Sequence, residues 1–153
     1  MYTEKEVLQF TEEEDVRFIR LAFCDVFGNQ KNVAVMSGEL ERAFRDGISF
    51  DASAIKGFGD ASRSDLLLFP DPSTLTVLPW RPSNGKVMRM YCDIKYPDGT
   101  PFPCDSRAFL KKAVSDAAGA GIVCNFGPEF EFYLFNTDEN GMPTEPYDRA
   151  GYF

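Results

Sequence analysis

The sequence predicts an α+β protein, with strands gathered in a first part that runs to about residue 103 and a helix followed by further strands after it. Three observations carry this reading. Runs of strand length, apolar or alternating, recur at Val16–Cys24, Leu66–Phe69, Leu75–Leu78 and Lys86–Ile94. Helical periodicity with capping residues is confined to three places, the longest from Asp105 to about Gly119. A hydrophobic content of 44% with fifteen Phe is enough to fill a core and argues against disorder.

Along the chain, Thr3-Glu4-Lys5-Glu6 has the form of a capping box and opens a short helix through about Glu13. Val16–Cys24 follows as a strand, Asp25-Val26-Phe27-Gly28-Asn29 as a turn, and Gln30–Val35 as the returning arm of a hairpin. Ser37 is placed to cap a helix with Leu40, Ala43 and Phe44 on one face, and Gly47 is placed to end it. Residues 50–64 read as a loop, and Pro70, Pro72, Pro79 and Pro82 punctuate the strands beyond it. Trp80 reads as a packing anchor.

Pro97-Asp98-Gly99 makes a turn and Pro101-Phe102-Pro103 a linker between two parts, 1–103 and 104–153. Asp105 then caps the long helix, whose Phe109, Leu110, Ala113, Val114 and Ala117 form an apolar stripe. Strands are expected at Ile122–Phe126 and at Glu129–Phe135, and the remaining tail is polar with Gly and Pro.

Charge and residue usage narrow the chemistry. A net charge of −8 disfavours nucleic acid or an anionic membrane as partner and is compatible with cation binding. The four Cys are scattered without a CxxC pair and read as reduced thiols of a cytoplasmic protein. No apolar run has the length of a membrane span, and the first residues lack the form of a signal peptide. The absence of His excludes a Ser-His or Cys-His nucleophile and any imidazole zinc site within these residues.

Two constellations can carry chemistry. In Glu129-Phe130-Glu131-Phe132-Tyr133-Leu134-Phe135, strand periodicity puts Glu129 and Glu131 on one face, about 6.6 Å apart at Cα. No Lys or Arg in the segment neutralises them, and hard oxygen donors without thiol or imidazole favour Mg²⁺ or Mn²⁺. The same alternation also describes a solvated strand face. An acid–base pair of the glycoside-hydrolase kind is a further reading, disfavoured because both side chains leave the same face. In Ser49-Phe50-Asp51-Ala52-Ser53-Ala54-Ile55, Asp51 and Ser53 present a carboxylate and a hydroxyl to a small cationic or amine ligand. The competing reading is an Asx turn that satisfies its own backbone.

Taken in order, a set of segments resembles glutamine synthetase, the ATP-dependent ligase that joins ammonia to glutamate. They are Phe23-Cys24-Asp25-Val26-Phe27-Gly28, Phe50-Asp51-Ala52-Ser53-Ala54-Ile55, Ser64-Asp65-Leu66, Phe69-Pro70-Asp71 with Pro79-Trp80, Asp98-Gly99-Thr100-Pro101-Phe102, Asp105-Ser106-Arg107 and Gly127-Pro128 with the Glu129 segment. The resemblance runs from about residue 16 to near the end, and the bacterial type I branch is the most similar. It implies a β-grasp-like N-terminal domain over 1–103 and the beginning of the catalytic domain over 104–153.

The resemblance further implies roles. Glu129 would face the cation that bridges the nucleotide phosphates, and Glu131 the neighbouring cation beside the glutamate. Asp51, as the catalytic carboxylate, and Ser53 would form part of the ammonium site, on a loop that reaches the active site of an adjacent subunit. ATP, glutamate and ammonium are the implied substrates, Mg²⁺ or Mn²⁺ the metals, and a homo-oligomeric ring, a dodecamer in the family, the assembly. Ala52 and Ala54 stand where the family usually has Gly and Ser, which leaves Asp51 and Ser53 in place. The family's metal-binding His, its glutamate-binding Arg and most of its nucleotide pocket lie beyond the residues matched, so these 153 residues alone are expected to be inactive. Ligation of glutamate to another amine, and a non-catalytic β-grasp interaction module, are the alternative readings.

Overall fold

A computed structural model describes residues 2–59, 64–79 and 85–151. Trp80 and Pro82, read as a packing anchor and a punctuation point, lie outside the described residues. Among the described residues the chain divides into two units, Met1–Ile122 and Val123–Phe153.

The first unit opens with helix α1, Glu4–Glu13. The Thr3 hydroxyl accepts from the N–H of Glu6 at 3.3 Å while the Glu6 carboxylate takes the Thr3 N–H at 2.7 Å, the reciprocal capping box expected. Strands β1, Val16–Cys24, and β2, Gln30–Met36, form the hairpin, in register from Phe18↔Met36 to Cys24↔Gln30. Ser37 does not cap with its side chain. A 3-10 turn, Ser37–Glu39, enters helix α2, Leu40–Asp46, and the Leu40 N–H is taken by the backbone carbonyl of Ser37 instead. Gly47 ends α2 at φ +75°, and a Cβ there would stand 3.0 Å from the Phe69 ring, so both conformation and space call for glycine.

Strand β3, Ile48–Asp51, pairs antiparallel with β4, Asp65–Pro70, where the sequence suggested that a loop begins at Phe50. The backbone ladder from Ile48↔Leu68 to Asp51↔Asp65 overrides the turn-forming composition around Asp51. Strands β5, Thr76–Leu78, and β6, Lys86–Lys95, complete a sheet ordered β2-β1-β6-β4-β3. β6 runs parallel to β1 on one side, and on its other side pairs with β5 near its start and β4 near its end.

One face of this sheet supplies the core. Ile19, Leu21 and Phe23 of β1, Leu66 and Leu68 of β4, and Met88, Met90, Cys92 and Ile94 of β6 are buried with Val7 of α1 and Leu40 and Ala43 of α2. The strict alternation along β6 is the period-two pattern of a strand with one covered face.

The Pro101-Phe102-Pro103 stretch is not a free linker. Phe102 is buried, its N–H donates to the Ile94 carbonyl at 3.0 Å, and its ring stacks edge-on with Phe58 and Tyr96. Helix α3, Ser106–Gly119, then starts on the Asp105 cap, whose carboxylate accepts from the Arg107 N–H at 3.0 Å. Its stripe of Phe109, Leu110 and Val114 is exposed.

In the second unit, strands β7, Phe135–Thr137, and β8, Pro143–Pro146, form a small antiparallel hairpin around a turn in which Asp138 accepts from the N–H groups of Asn140 and Met142. The strands expected at Ile122–Phe126 and Glu129–Phe135 are not formed: residues 122–134 carry no regular secondary structure, and pairing starts only at Phe135. Alternation in sequence specifies which face a side chain takes, but a strand exists only through its ladder. No strand among the described residues pairs with 129–134.

Candidate active site

Asp51 sits where β3 gives way to a 3-10 turn, Ala52–Ala54. Its Oδ1 accepts from the Ser53 N–H at 2.9 Å and from the Ser53 hydroxyl at 2.6 Å. The Ser53 hydroxyl, followed by the Ser53 N–H, holds the Asp51 carboxyl below the usual aspartate range, against a small opposing effect of burial. The local geometry is therefore the Asx turn that competed with a ligand site in the sequence. It recurs twice: Asp71 accepts from the N–H and hydroxyl of Ser73, and Asp98 from those of Thr100, each hydroxyl again at 2.6 Å.

What differs is the surroundings. Asp71 also pairs with the Arg107 guanidinium at 2.5 Å. Asp51 is exposed, and among the described residues no Lys or Arg pairs with it. An ionised carboxylate of this kind, held rigid by Ser53 and open on its other side, can take a small cation. Ala52 beside it is buried, keeps an ordinary backbone, and donates its N–H to the Ser64 carbonyl at 2.7 Å. Alanine in this position thus anchors the loop, while Ser53 is left facing outward.

Glu129 and Glu131 are exposed side chains of segment 122–134, which forms no strand, and no ladder among the described residues fixes them on a common face. A Cβ placed on Gly127 at the entry would meet nothing within 4 Å among the described residues. Between Gly127 and Phe135 the ionisable side chains are two carboxylates and one phenol, without imidazole, thiol or cation. Those donors suit Mg²⁺ or Mn²⁺, though two carboxylates fill only part of the roughly six oxygen positions such ions take. No group of three or more metal-ligating side chains assembles among the described residues. Asp51 and Ser53 belong to the first unit, and Glu129 and Glu131 to the second.

The sequence assigned no chemistry to Asp71, yet it joins the main ionic cluster. Arg107 of α3 bridges Asp71 and Asp93 at 2.5 and 2.7 Å, and Lys111, one helical turn on, reaches Asp93 at 2.8 Å. Burial works against the Asp71 charge, but Ser73, Arg107 and Lys111 together hold its carboxyl below the ordinary range. The i,i+4 spacing of Arg107 and Lys111 was the available signal, since it puts both cations on one helix face.

Among the described residues no helix is long and apolar enough to cross a membrane. Two family models match the chain: glutamine synthetase, beta-Grasp domain, over residues 15–97, and glutamine synthetase, catalytic domain, over residues 103–151. The glutamine synthetase of Clostridium saccharobutylicum is 47% identical over 153 residues, covering 99% of this chain and 34% of that protein. That of Mycolicibacterium smegmatis is 48% identical over 150 residues, 96% of this chain and again 34% of the relative. The Plasmodium falciparum glutamine synthetase, seen by cryo-electron microscopy, shares the fold at a TM-score of 0.71 and 23% identity, over 79% of this chain and 23% of that one. The chain therefore spans about a third of the length of the curated relatives it matches. With a β-grasp sheet in the observed order and both family models matched in sequence, the chain belongs to the glutamine synthetase family.

Proposed function

We propose that these residues are the N-terminal portion of an ATP-dependent ligase that forms glutamine from glutamate and ammonia through γ-glutamyl phosphate. The observation that carries the reading is Asp51: an exposed carboxylate, held ionised by Ser53 and without a basic partner among the described residues. Such a group attracts ammonium and fixes its position. It is also the proton acceptor as ammonia is released to attack the acyl phosphate. The Ser53 hydrogen bonds make Asp51 a better holder of the cation than a base, so the transfer that frees the nitrogen lone pair is uphill and is drawn forward by the attack of ammonia on the acyl phosphate that follows it.

Glu129 and Glu131 would hold Mg²⁺ or Mn²⁺ together with ligands from the rest of a complete catalytic domain. When bound, such ions neutralise charge on the phosphates during phosphoryl transfer. Glu129 is proposed for the nucleotide side and Glu131 for the glutamate side. Pairing of 129–134 with a neighbouring strand would set their spacing. The complete protein is proposed to be a cytoplasmic homo-oligomer, a dodecamer by analogy with the family, with Asp51 reaching an adjacent subunit's site. The division between the β-grasp part and the catalytic part is placed at residue 103.

Ligation of glutamate to another amine is the second reading. Asp51 favours ammonium, because a larger amine needs room more than a fixed charge. The test is glutamine formation by the full-length enzyme against formation by residues 1–153. Turnover should require the former, Asp51→Asn should raise the KM for ammonium, and Glu129→Gln should raise that for the metal–nucleotide complex. Turnover by residues 1–153 alone, or preference for an alkylamine over ammonium, would sink the reading.

A further inference from the structure

The loop that carries Asp51 is held at both ends, and the second hold lies outside the proposed ammonium site. At its start Ala52 is buried and tied to Ser64. Farther on, the Ile55 N–H returns to Ala52 and the Phe58 N–H to Ile55, so Ala52 to Phe58 is a chain of linked turns. Phe58 is buried against Phe23 and Phe102, with ring centres 6.0 and 5.0 Å away. Between these anchors the loop meets the β1–β2 turn. Gly57 has φ +91°, and a Cβ on it would stand 2.4 Å from Val26 Cγ2, so the valine side chain occupies the space that glycine leaves. Lys56 lies with its ammonium 5.3 Å from the centre of the Phe27 ring.

The turn on which the loop rests is itself rigid. The Asp25 carboxylate, almost fully buried, accepts from the N–H groups of Phe27 and Asn29 at 2.9 Å each and from the Asn29 side-chain amide. Lys31 lies 3.8 Å away. Val26 and Phe27 remain substantially exposed, so both can be substituted without opening the core.

We infer that Val26, Phe27 and Gly57 are positioning residues: the β1–β2 turn is a fixed seat for the Asp51 loop, with Val26 packed against Gly57 and Phe27 beneath Lys56. The inference rests on the reading of Asp51 as the ammonium-holding carboxylate. Through the linked turns, displacement at Gly57 passes back to Ala52 and so to the Asp51–Ser53 pair. A small misplacement of a carboxylate that must meet a small cation weakens ammonium binding, and the nucleotide has no part in it.

The experiment uses the full-length enzyme and measures KM for ammonium and for ATP. Gly57→Ala should raise the ammonium KM about tenfold and the ATP KM by less than about twofold. Phe27→Ala, at an exposed position that folding tolerates, should raise the ammonium KM roughly threefold. Val26→Ala combined with Gly57→Ala should recover only the part of the loss that comes from the Val26 clash, because alanine at φ +91° stays strained after the methyl is gone. Asp51→Asn, run alongside, reports on the underlying reading alone. If Asp51→Asn raises the ammonium KM while Gly57→Ala and Phe27→Ala leave it unchanged, or change both KM values together, the seat is refuted and the ammonium site stands. If Asp51→Asn has no effect on the ammonium KM, the ammonium reading fails and the inference falls with it.

Discussion

The buried Asp105 carboxylate accepts the backbone N–H of Ile94 at 3.0 Å, tying the start of α3 to the end of β6. Its other oxygen caps α3 through Arg107. Asp105→Ala therefore removes a helix cap, worth about 1 kcal/mol, and orphans a buried N–H, worth roughly 1–3 kcal/mol, so a loss of about 2–4 kcal/mol is expected in urea unfolding. Burial, outweighing the backbone hydrogen bonds, raises the Asp105 pKa. Stability from this group is then complete below the ordinary aspartate value of about 3.9 and declines as pH rises through the raised folded value. The stability gap between the wild type and Asp105→Asn should narrow over that window.

Arg107 is the hub of the ionic cluster, flanked by Asp71 and Asp93 with side chains less than a third exposed. Arg107→Ala leaves two carboxylates with only Lys111 to balance them, and a cost of about 1–3 kcal/mol is expected. Lysine should restore only part of this, since it cannot reach both carboxylates with a fork. The Asp71 pKa is lowered, so its contribution is present above about pH 3.9 and is lost as pH falls through the folded value. A double-mutant cycle of Arg107→Ala with Asp71→Asn, run at neutral pH and again in acid, checks both statements; equal coupling at the two pH values would contradict the second.

The cysteines should divide by accessibility. Cys104 and Cys124 are exposed, Cys24 is half-buried and Cys92 is fully buried. Burial, aided by the Asp93 charge, pushes the Cys92 thiol well above its ordinary pKa. Titration with an aromatic disulfide reagent should modify Cys104 and Cys124 quickly and Cys24 more slowly. Cys92 should react only at the rate of unfolding, and modification of Cys92 in the folded protein would contradict its placement in the core.

Ser53→Ala should move the Asp51 pKa back toward the ordinary aspartate value. The hydroxyl is the foremost cause of its depression, and the Ser53 N–H remains as the lesser one. Carboxyl-carbon NMR titration reads this directly. An unchanged midpoint would show that the hydroxyl bond at 2.6 Å is not maintained in solution.

Most of the first unit was legible because its signals are local or periodic. The Thr3–Glu6 box, the limits of β1 at Val16 and Cys24, and the Asp105 cap all follow from residues within a few positions of one another. Ser37 misled because its carbonyl, not its hydroxyl, serves α2. β3 was hidden because its ladder to β4 is a tertiary fact, whereas Asp51-Ala52-Ser53 is a turn by composition. The Glu129 segment failed in the opposite direction: its alternation is as clear as that of β6, but β6 has strands on both sides, whereas among the described residues no strand pairs with residues 129–134. Of the site, Asp51 with Ser53 was readable as a pair. Its distinction from the same turn at Asp71 lies in the absence of a basic partner among the described residues, which no motif encodes.

The parallel pairing of β1 with β6 sets the order in which the protein is made. Ile19 meets Met88, so the centre of the sheet cannot close while the ribosome is still producing the intervening chain. At about 5–20 residues per second, that wait lasts on the order of several seconds. During it the β1–β2 hairpin stands with the apolar face of Ile19, Leu21 and Phe23 uncovered and the backbone edge of β1 without its partner strand. The nascent chain is most vulnerable to aggregation in that interval, and a chaperone would be of most use to it before Ile94 emerges.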